Sequence, residues 1–134
     1  MYLLDTDICI YLMKDSFPAL TKRLLSEDPN NAAISAITVY ELEYGAAKSR
    51  WSERTRDALY SFLAPFNIIP FDAGDAAAAG QLRSFLAQQG SPIGPYDIQI
   101  AAQAFARDMT VVTHNIREFS RVPDLKIEDW VKLS

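Results

Sequence analysis

The sequence predicts an α/β domain in which a central, mostly parallel β-sheet lies between layers of helices. Two observations carry this prediction. Short apolar runs of strand type alternate with segments of helical period along the whole chain, the order from which parallel sheets are built. The first of those runs, around Leu3-Leu4, is continuously apolar, the pattern of a strand covered on both faces. A third observation says where such a sheet would carry chemistry, because that run ends abruptly in a carboxylate, Asp5. An isolated charge is too costly to leave in a core without a partner. Ligands of open α/β sheets gather at the carboxyl ends of the strands.

Each element has a local reason. Asp7 to Lys14 reads as a helix with Ile8, Tyr11 and Leu12 on one face. Phe17, Leu20, Leu24 and Leu25 continue with helical spacing, and Pro18 suits a first turn. Glu27 to Asn31 is a polar turn, and Ala32 to Ser35 a small apolar second strand. Ser35 or Thr38 caps a helix running through Ser49, with Thr38 and Glu41 at capping-box spacing. Leu59, Phe62, Leu63 and Phe66 fall at i, i+3, i+4, i+7, which makes Glu53 to Phe66 an amphipathic helix ending near Pro65. Asn67 to Pro70 is a third strand. Asp72 or Ala73 opens an alanine-rich helix to Gln89, with Ala79, Leu82 and Leu86 inward. Gly90 to Pro95 is a loop, Ile98 to Arg107 a helix, and Val111-Val112-Thr113 the fourth strand. Lys126 to Trp130 allows a last short strand or turn. There is no internal repeat or linker, so a single domain over residues 1–134 is expected.

Composition sets further bounds. Hydrophobic residues make up 49% of 134 positions, enough for a core without a disulfide or structural metal. One cysteine, Cys9, lies in an apolar segment and reads as core, so a reducing interior is the simpler expectation. No basic-then-apolar leader opens the chain, and no apolar run approaches the ~20 residues that span a bilayer. A cytoplasmic protein with no membrane partner is expected. The net charge of −4 argues against a surface coated in positive charge for nucleic acid. It does not exclude nucleic acid, because clustered carboxylates with divalent cations reverse the local sign.

Four places combine a polar group with the boundary of an element. Asp5 ends the first strand, Glu41 lies early in the helix after the second, and Asp97 follows Gly94-Pro95-Tyr96 at a helix start. Thr113, Asn115 and Glu118 follow the fourth strand. A parallel sheet brings such positions to one edge. Each has a plainer explanation: Glu41 as a capping-box acid, Asp97 as an N-cap, Asp7 as the cap of the first helix. Asp5 has the weakest such alternative. Oxygen ligands without a cysteine or histidine cluster suit Mg²⁺ or Mn²⁺ rather than Zn²⁺. Lys48, Arg50, Arg54 and Arg56, with Trp51 among them, form the densest basic run; it suits either a phosphate backbone or a solvated helix face. Tyr40, Tyr44 or Tyr96 would suit stacking on an unpaired base. Trp130 reads as tail packing, and His114 as a loop residue beside the site.

Four segments in order carry a family resemblance: Leu3-Leu4-Asp5-Thr6-Asp7-Ile8-Cys9-Ile10, Ser35 to Gly45, Ile93-Gly94-Pro95-Tyr96-Asp97-Ile98-Gln99-Ile100-Ala101, and Val111 to Phe119. Together they resemble the PIN-domain ribonucleases, and among them the VapC toxins of type II toxin–antitoxin modules. The resemblance implies a PIN-like three-layer α/β/α sandwich and a metal-dependent endoribonuclease, with Mg²⁺ or Mn²⁺ as cofactor. By position, Asp5, Glu41 and Asp97 match the three family acids, as catalytic and metal-holding residues. Asn115 falls where many relatives have a fourth acid, with Glu118 placed to take over. Asp7 stands where relatives commonly have Asn, and with Thr113 is a supporting residue. Lys48, Arg50, Arg54 and Tyr96 are the RNA-binding candidates.

The resemblance further implies hydrolysis leaving a 5′ phosphate and 3′ hydroxyl, with tRNA as substrate, the initiator tRNA anticodon loop included. A homodimer, inhibition by a VapB-type antitoxin and higher toxin–antitoxin assembly are implied too. An apolar groove for the antitoxin is expected over Ile8 to Leu25. Two other readings stand beside this one. Asp5-Thr6-Asp7 fits the start of a haloacid-dehalogenase-like phosphatase with Asp5 as nucleophile, although Thr113-His114-Asn115 lacks that class's late acidic pair. The loss of an acid at Asn115 also suits a catalytically inactive binding module.

Overall fold

The computed structural model describes residues 1–131; the last three positions of the expected domain, 132–134, lie outside the described residues. Its elements follow the predicted alternation: β1 (Tyr2–Leu4), α1 (Thr6–Met13), α2 (Pro18–Ser26), β2 (Ala32–Ser35), α3 (Ala36–Ala47), α4 (Ser52–Leu63), β3 (Asn67–Ile69), α5 (Ala73–Gln88), α6 (Pro95–Ala106), β4 (Thr110–Val112), α7 (Ile116–Phe119) and β5 (Ile127–Glu128). A single turn of 3₁₀ helix, Pro29–Asn31, leads into β2.

The strands form one sheet in the order β3-β2-β1-β4-β5, and every pairing is parallel. The fold is the expected α/β sandwich, with a sheet that is parallel throughout rather than mostly so. β1 is central. Its Leu4 registers with Ile34 on one side and Val112 on the other. The chain builds outward from β1 in both directions, so the gap beyond its carboxyl end is a topological switch point. Asp5 is the next residue.

The two faces of the sheet feed two cores with the period of a strand. Leu3, Ala33 and Val111 pack with residues of α5 and α6, among them Ala79, Leu86, Ile98 and Ala102. Leu4, Ile34 and Val112 pack on the opposite face with Ile8, Cys9, Leu20, Leu59 and Trp130. Leu3 and Leu4 are both fully buried, which explains the unbroken apolar run; each contributes roughly 1.5–3 kcal/mol. Cys9 is core, as expected, and Trp130, read from the sequence as tail packing, is fully buried in the same cluster. Trp130 stacks under Arg23, which also pairs with Glu27 and Glu128 and so fastens the tail to α2.

Helix starts differ from expectation in instructive ways. Ser35 alone caps α3, accepting from the Ile37 N–H, and no Thr38–Glu41 capping box forms because Thr38 already lies inside the helix. α6 begins at Pro95 with Gly94 as its cap, earlier than the expected Ile98, since proline at the first helical position needs no N–H partner. Asp97 is therefore not the N-cap. α7 has only four residues, too few to show a period in sequence. The capping box that does form joins Asp72 and Asp75 at α5.

Asp75 is buried against Arg107 of the α6 end, at 2.9 Å, and accepts from Gln103 as well. Hydrogen bonding to Arg107 holds its carboxyl down at about 2. Arg107→Ala is expected to cost on the order of 2 kcal/mol. That is less than a fully buried pair would lose, because Arg107 is 34% exposed and other donors remain. An acid whose folded value is depressed gives stability present above its unfolded value near 4 and lost as pH falls towards 2. Denaturant unfolding should therefore show the full difference at pH 7 and almost none at pH 2.

Candidate active site

Asp5 closes β1 and opens α1. Its carboxylate caps the helix, Oδ1 accepting from the Ile8 N–H at 2.9 Å, and the Thr113 hydroxyl donates to it from the end of β4. Thr113 in turn accepts from the Asn115 N–H at 2.9 Å, so its hydroxyl is engaged by protein. Asp5 is only 3% exposed. Burial, with smaller contributions from the charges of Asp7 and Glu41, outweighs those two bonds and pushes its pKa up to about 7. The cap of α1 is therefore Asp5 itself, not Asp7. Asp7 sits exposed in the first turn, with no hydrogen bond to Asp5 among the described residues.

Glu41 reaches the same region from the second turn of α3. Its Oε1 accepts from the Thr6 hydroxyl at 2.6 Å, and Thr6 Oγ1 lies 3.0 Å from that of Thr38. Thr6 has a single proton and gives it to Glu41, so Thr38 donates to Thr6. This relay orients Glu41 without neutralising it. Thr6 and Thr38 carry no signal of that role in sequence beyond Thr6 following Asp5.

Asp97 lies in the first turn of α6, half-buried beside Glu118. The Gly94 N–H donates to Glu118 Oε1 at 2.6 Å, and the Asn115 amide donates to Oε2 at 2.6 Å. Asn115 also caps α7 by accepting from the Glu118 N–H. The residue in the fourth-acid position is thus a clamp on the nearby glutamate. Asp97 is raised to about 7, first by burial and then by the charge of Glu118, a hydrogen bond with it, and the charges of Asp5 and Glu41.

These acids act on one another through space rather than as a closed cage; among the described residues no three His, Cys, Asp or Glu side chains converge tightly enough to enclose an ion. The donors still fit a hard divalent cation. They are all oxygen, and Mg²⁺ keeps several waters while using one or two carboxylates. Charges that burial and mutual repulsion disfavour are also those a cation would restore.

A cleft of about 520 Å³ is lined by Thr6, Asp7, Tyr40, Glu41, Tyr44, Lys48 and Tyr96. Of the basic candidates, Lys48 lies in this cleft. Arg50 and Arg54 instead flank the Trp51 ring, and Arg56 pairs with Glu43 at 3.7 Å. A second groove, about 560 Å³, is lined by Ile10, Met13, Leu42, Ala46, Ala58 and Leu59. It lies between α1, α3 and α4. The apolar residues expected to form a groove within Ile8 to Leu25 are mostly core: Ile8 and Leu20 are fully buried, and Tyr11, Leu12 and Phe17 pack on the same cluster.

Asp5, Glu41, Asp97 and Glu118, from four separate elements, gather at the switch point of a parallel sheet as an all-oxygen set of the kind that suits divalent-metal chemistry on phosphate esters. A family model described as PIN domain matches residues 2–125. The "tRNA(fMet)-specific endonuclease VapC" of Shigella flexneri is 40% identical over 96% of this chain and 97% of its own. The "Ribonuclease VapC2" of Rickettsia felis is 41% identical over 98% and 99%. The crystal structure of DNA-bound VapBC from Salmonella typhimurium superposes with a TM-score of 0.89 at 40% identity, covering 96% of this chain and 97% of the other. The chain belongs to the PIN-domain family and, within it, to the VapC ribonucleases. Membership in a nuclease family displaces the phosphatase alternative.

The raised value of Asp5 has a measurable consequence. Below pH 4 the carboxyl is protonated in both folded and unfolded chains; between 4 and about 7 only the unfolded chain ionises, so stability falls as pH rises. Asp5→Asn keeps a good capping residue and removes that penalty. It is expected to stabilise the chain in chelator at pH 8 by about 1–3 kcal/mol, and by nearly nothing at pH 3.5. A gain independent of pH would show that the buried carboxylate does not carry the cost.

Proposed function

We propose that this chain is the toxin of a type II toxin–antitoxin pair, a divalent-metal-dependent endoribonuclease whose catalytic groups are Asp5, Glu41, Asp97 and Glu118. The observation that supports this most directly is the mutual influence of Asp5, Glu41, Asp97 and Glu118 across one edge of the sheet. No histidine or lysine is needed to explain it.

Asp5, Glu41 and Asp97 would hold Mg²⁺, or Mn²⁺ in its place, which when bound would supply activation of a water at neutral pH and charge neutralisation at the phosphodiester. The protein's part is positioning. Asp5 is held rigidly by the Ile8 N–H and Thr113, and Glu41 by Thr6. Asn115 and the Gly94 N–H hold Glu118 against Asp97, where a carboxyl can keep or release a proton near neutral pH. Asn115 acts by positioning, and Asp7 adds negative charge at the cleft.

The name of the Shigella flexneri relative, a tRNA(fMet)-specific endonuclease, supports tRNA as the substrate class. The VapBC structure from Salmonella typhimurium supports a VapB-type antitoxin as inhibitor. The apolar groove between α1, α3 and α4 suits an antitoxin segment. Ile10, Glu41 and Gly45 line both this groove and the acidic cleft, so a basic residue at the end of that segment would reach the acids. A cytoplasmic setting fits, and no helix among the described residues is long and apolar enough to cross a membrane. Pairing with a second copy belongs to the same proposal.

Asp5→Asn and Asp97→Asn are each expected to reduce cleavage of a purified tRNA by about 10³-fold or more, with circular dichroism unchanged. Chelation by EDTA should abolish wild-type cleavage, and added Mg²⁺ or Mn²⁺ should restore it. Undiminished cleavage by both variants, or in chelator, would refute the assignment.

A further inference from the structure

Two of the site acids are each preceded by a tyrosine: Tyr40-Glu41 in α3 and Tyr96-Asp97 in α6. The packing of α3 on α6 that brings the acids into range therefore brings these tyrosines together too. Their ring centroids lie 5.5 Å apart with planes at 51°, and their hydroxyls are 3.3 Å apart. Neither ring belongs to either core cluster. Tyr40 is 56% and Tyr96 38% exposed, so the pair contributes little to holding the fold. Both rings line the cleft that contains Glu41 and Asp7, and Lys48 lies in the same cleft, its ammonium 4.9 Å from the Tyr44 ring.

Such an arrangement has a defined chemical use. A base with a free π-face stacks on an exposed aromatic ring whatever its identity, whereas a base inside a duplex has both faces covered. Both tyrosines line the same cleft as Glu41, one of the acids proposed to act on a phosphodiester. The mutual hydroxyl contact ties the two rings to one another. We propose that Tyr40 and Tyr96 form a stacking platform that positions an unpaired base next to the scissile phosphate, with Lys48 receiving a neighbouring phosphate along the cleft. This assignment rests on the ribonuclease reading above. A protein occupant is less well matched, because the rings share their cleft with the acids and the ammonium group rather than lying on an apolar face.

The test uses the full chain and a short fluorescent single-stranded RNA with Mg²⁺. Tyr40→Ala and Tyr96→Ala should each raise KM about 5- to 50-fold with kcat within about 3-fold of wild type. Tyr40→Phe and Tyr96→Phe, which keep the ring and lose the hydroxyl contact, should raise KM less than the Ala substitution at the same position. The same Ala substitutions placed in Asp5→Asn protein, which binds without cutting, should weaken RNA binding by a similar factor. Lys48→Gln should lower the slope of log KM against log salt by about 1. Ala variants with unchanged KM, or with kcat reduced at constant KM, would overturn the platform while wild-type cleavage still upholds the ribonuclease reading. A wild-type chain that cuts no RNA would remove both. Sedimentation of the Ala variants supplies the last check. A loss of activity that follows a change in oligomeric state would make the tyrosines a contact between copies and overturn the proposal.

Discussion

The rest of the molecule depends on one buried carboxylate. Asp5 lies at the end of the central strand, where the sheet grows outward in both directions, and its neighbours β2 and β4 hold it in register from either side. Removing it from water is unfavourable, and the bonds from the Ile8 N–H and Thr113 offset only part of that cost. The fold accepts this because the same atoms serve two purposes. The carboxylate that caps α1 also faces the edge where the other acids arrive, so the helix start and the site are a single structure.

Two of the remaining acids are held by neutral donors. Glu41 is fixed by a hydroxyl, and Glu118 by a backbone amide and an asparagine. The chain's ion pairs lie elsewhere: Arg107 with Asp72 and Asp75, Arg23 with Glu27 and Glu128, Arg56 with Glu43, Lys126 with Asp108. Among the described residues none of these pairs engages a site acid. The consequence is a locally negative edge whose charge is not cancelled from within. Cations from solution would ease the approach of a polyanion to that edge, and an all-oxygen donor set is suited to recruiting them.

Asn115 shows how a departure from a family pattern is absorbed. A fourth carboxylate at that position would add repulsion to a region where burial already raises Asp5 and Asp97. The amide instead donates to Glu118 and caps α7, holding a carboxylate from the next turn against Asp97. The total of acids at the edge is kept while their spacing is set by hydrogen bonds.

Local pattern determined the elements and their order. Unbroken apolar runs, Pro18 and the polar turn before Ala32 state their structure within a few residues, because strand burial and helix entry are governed by near neighbours. The motif order likewise identified the family from the chain alone, and marked three of the acids that the structure brings towards one edge of the sheet. Whether Thr38 would cap a helix or support Thr6, whether Asn115 would be a lost ligand or a clamp, and where an apolar groove would open were decided by tertiary structure. Each depends on which side chains arrive from elements distant in sequence. Of the segment expected to form the groove, Ile8 and Leu20 are core, while Ile10 and Met13 line the groove between α1, α3 and α4. Register and helix packing fix such meetings, and no single segment contains the information to predict them.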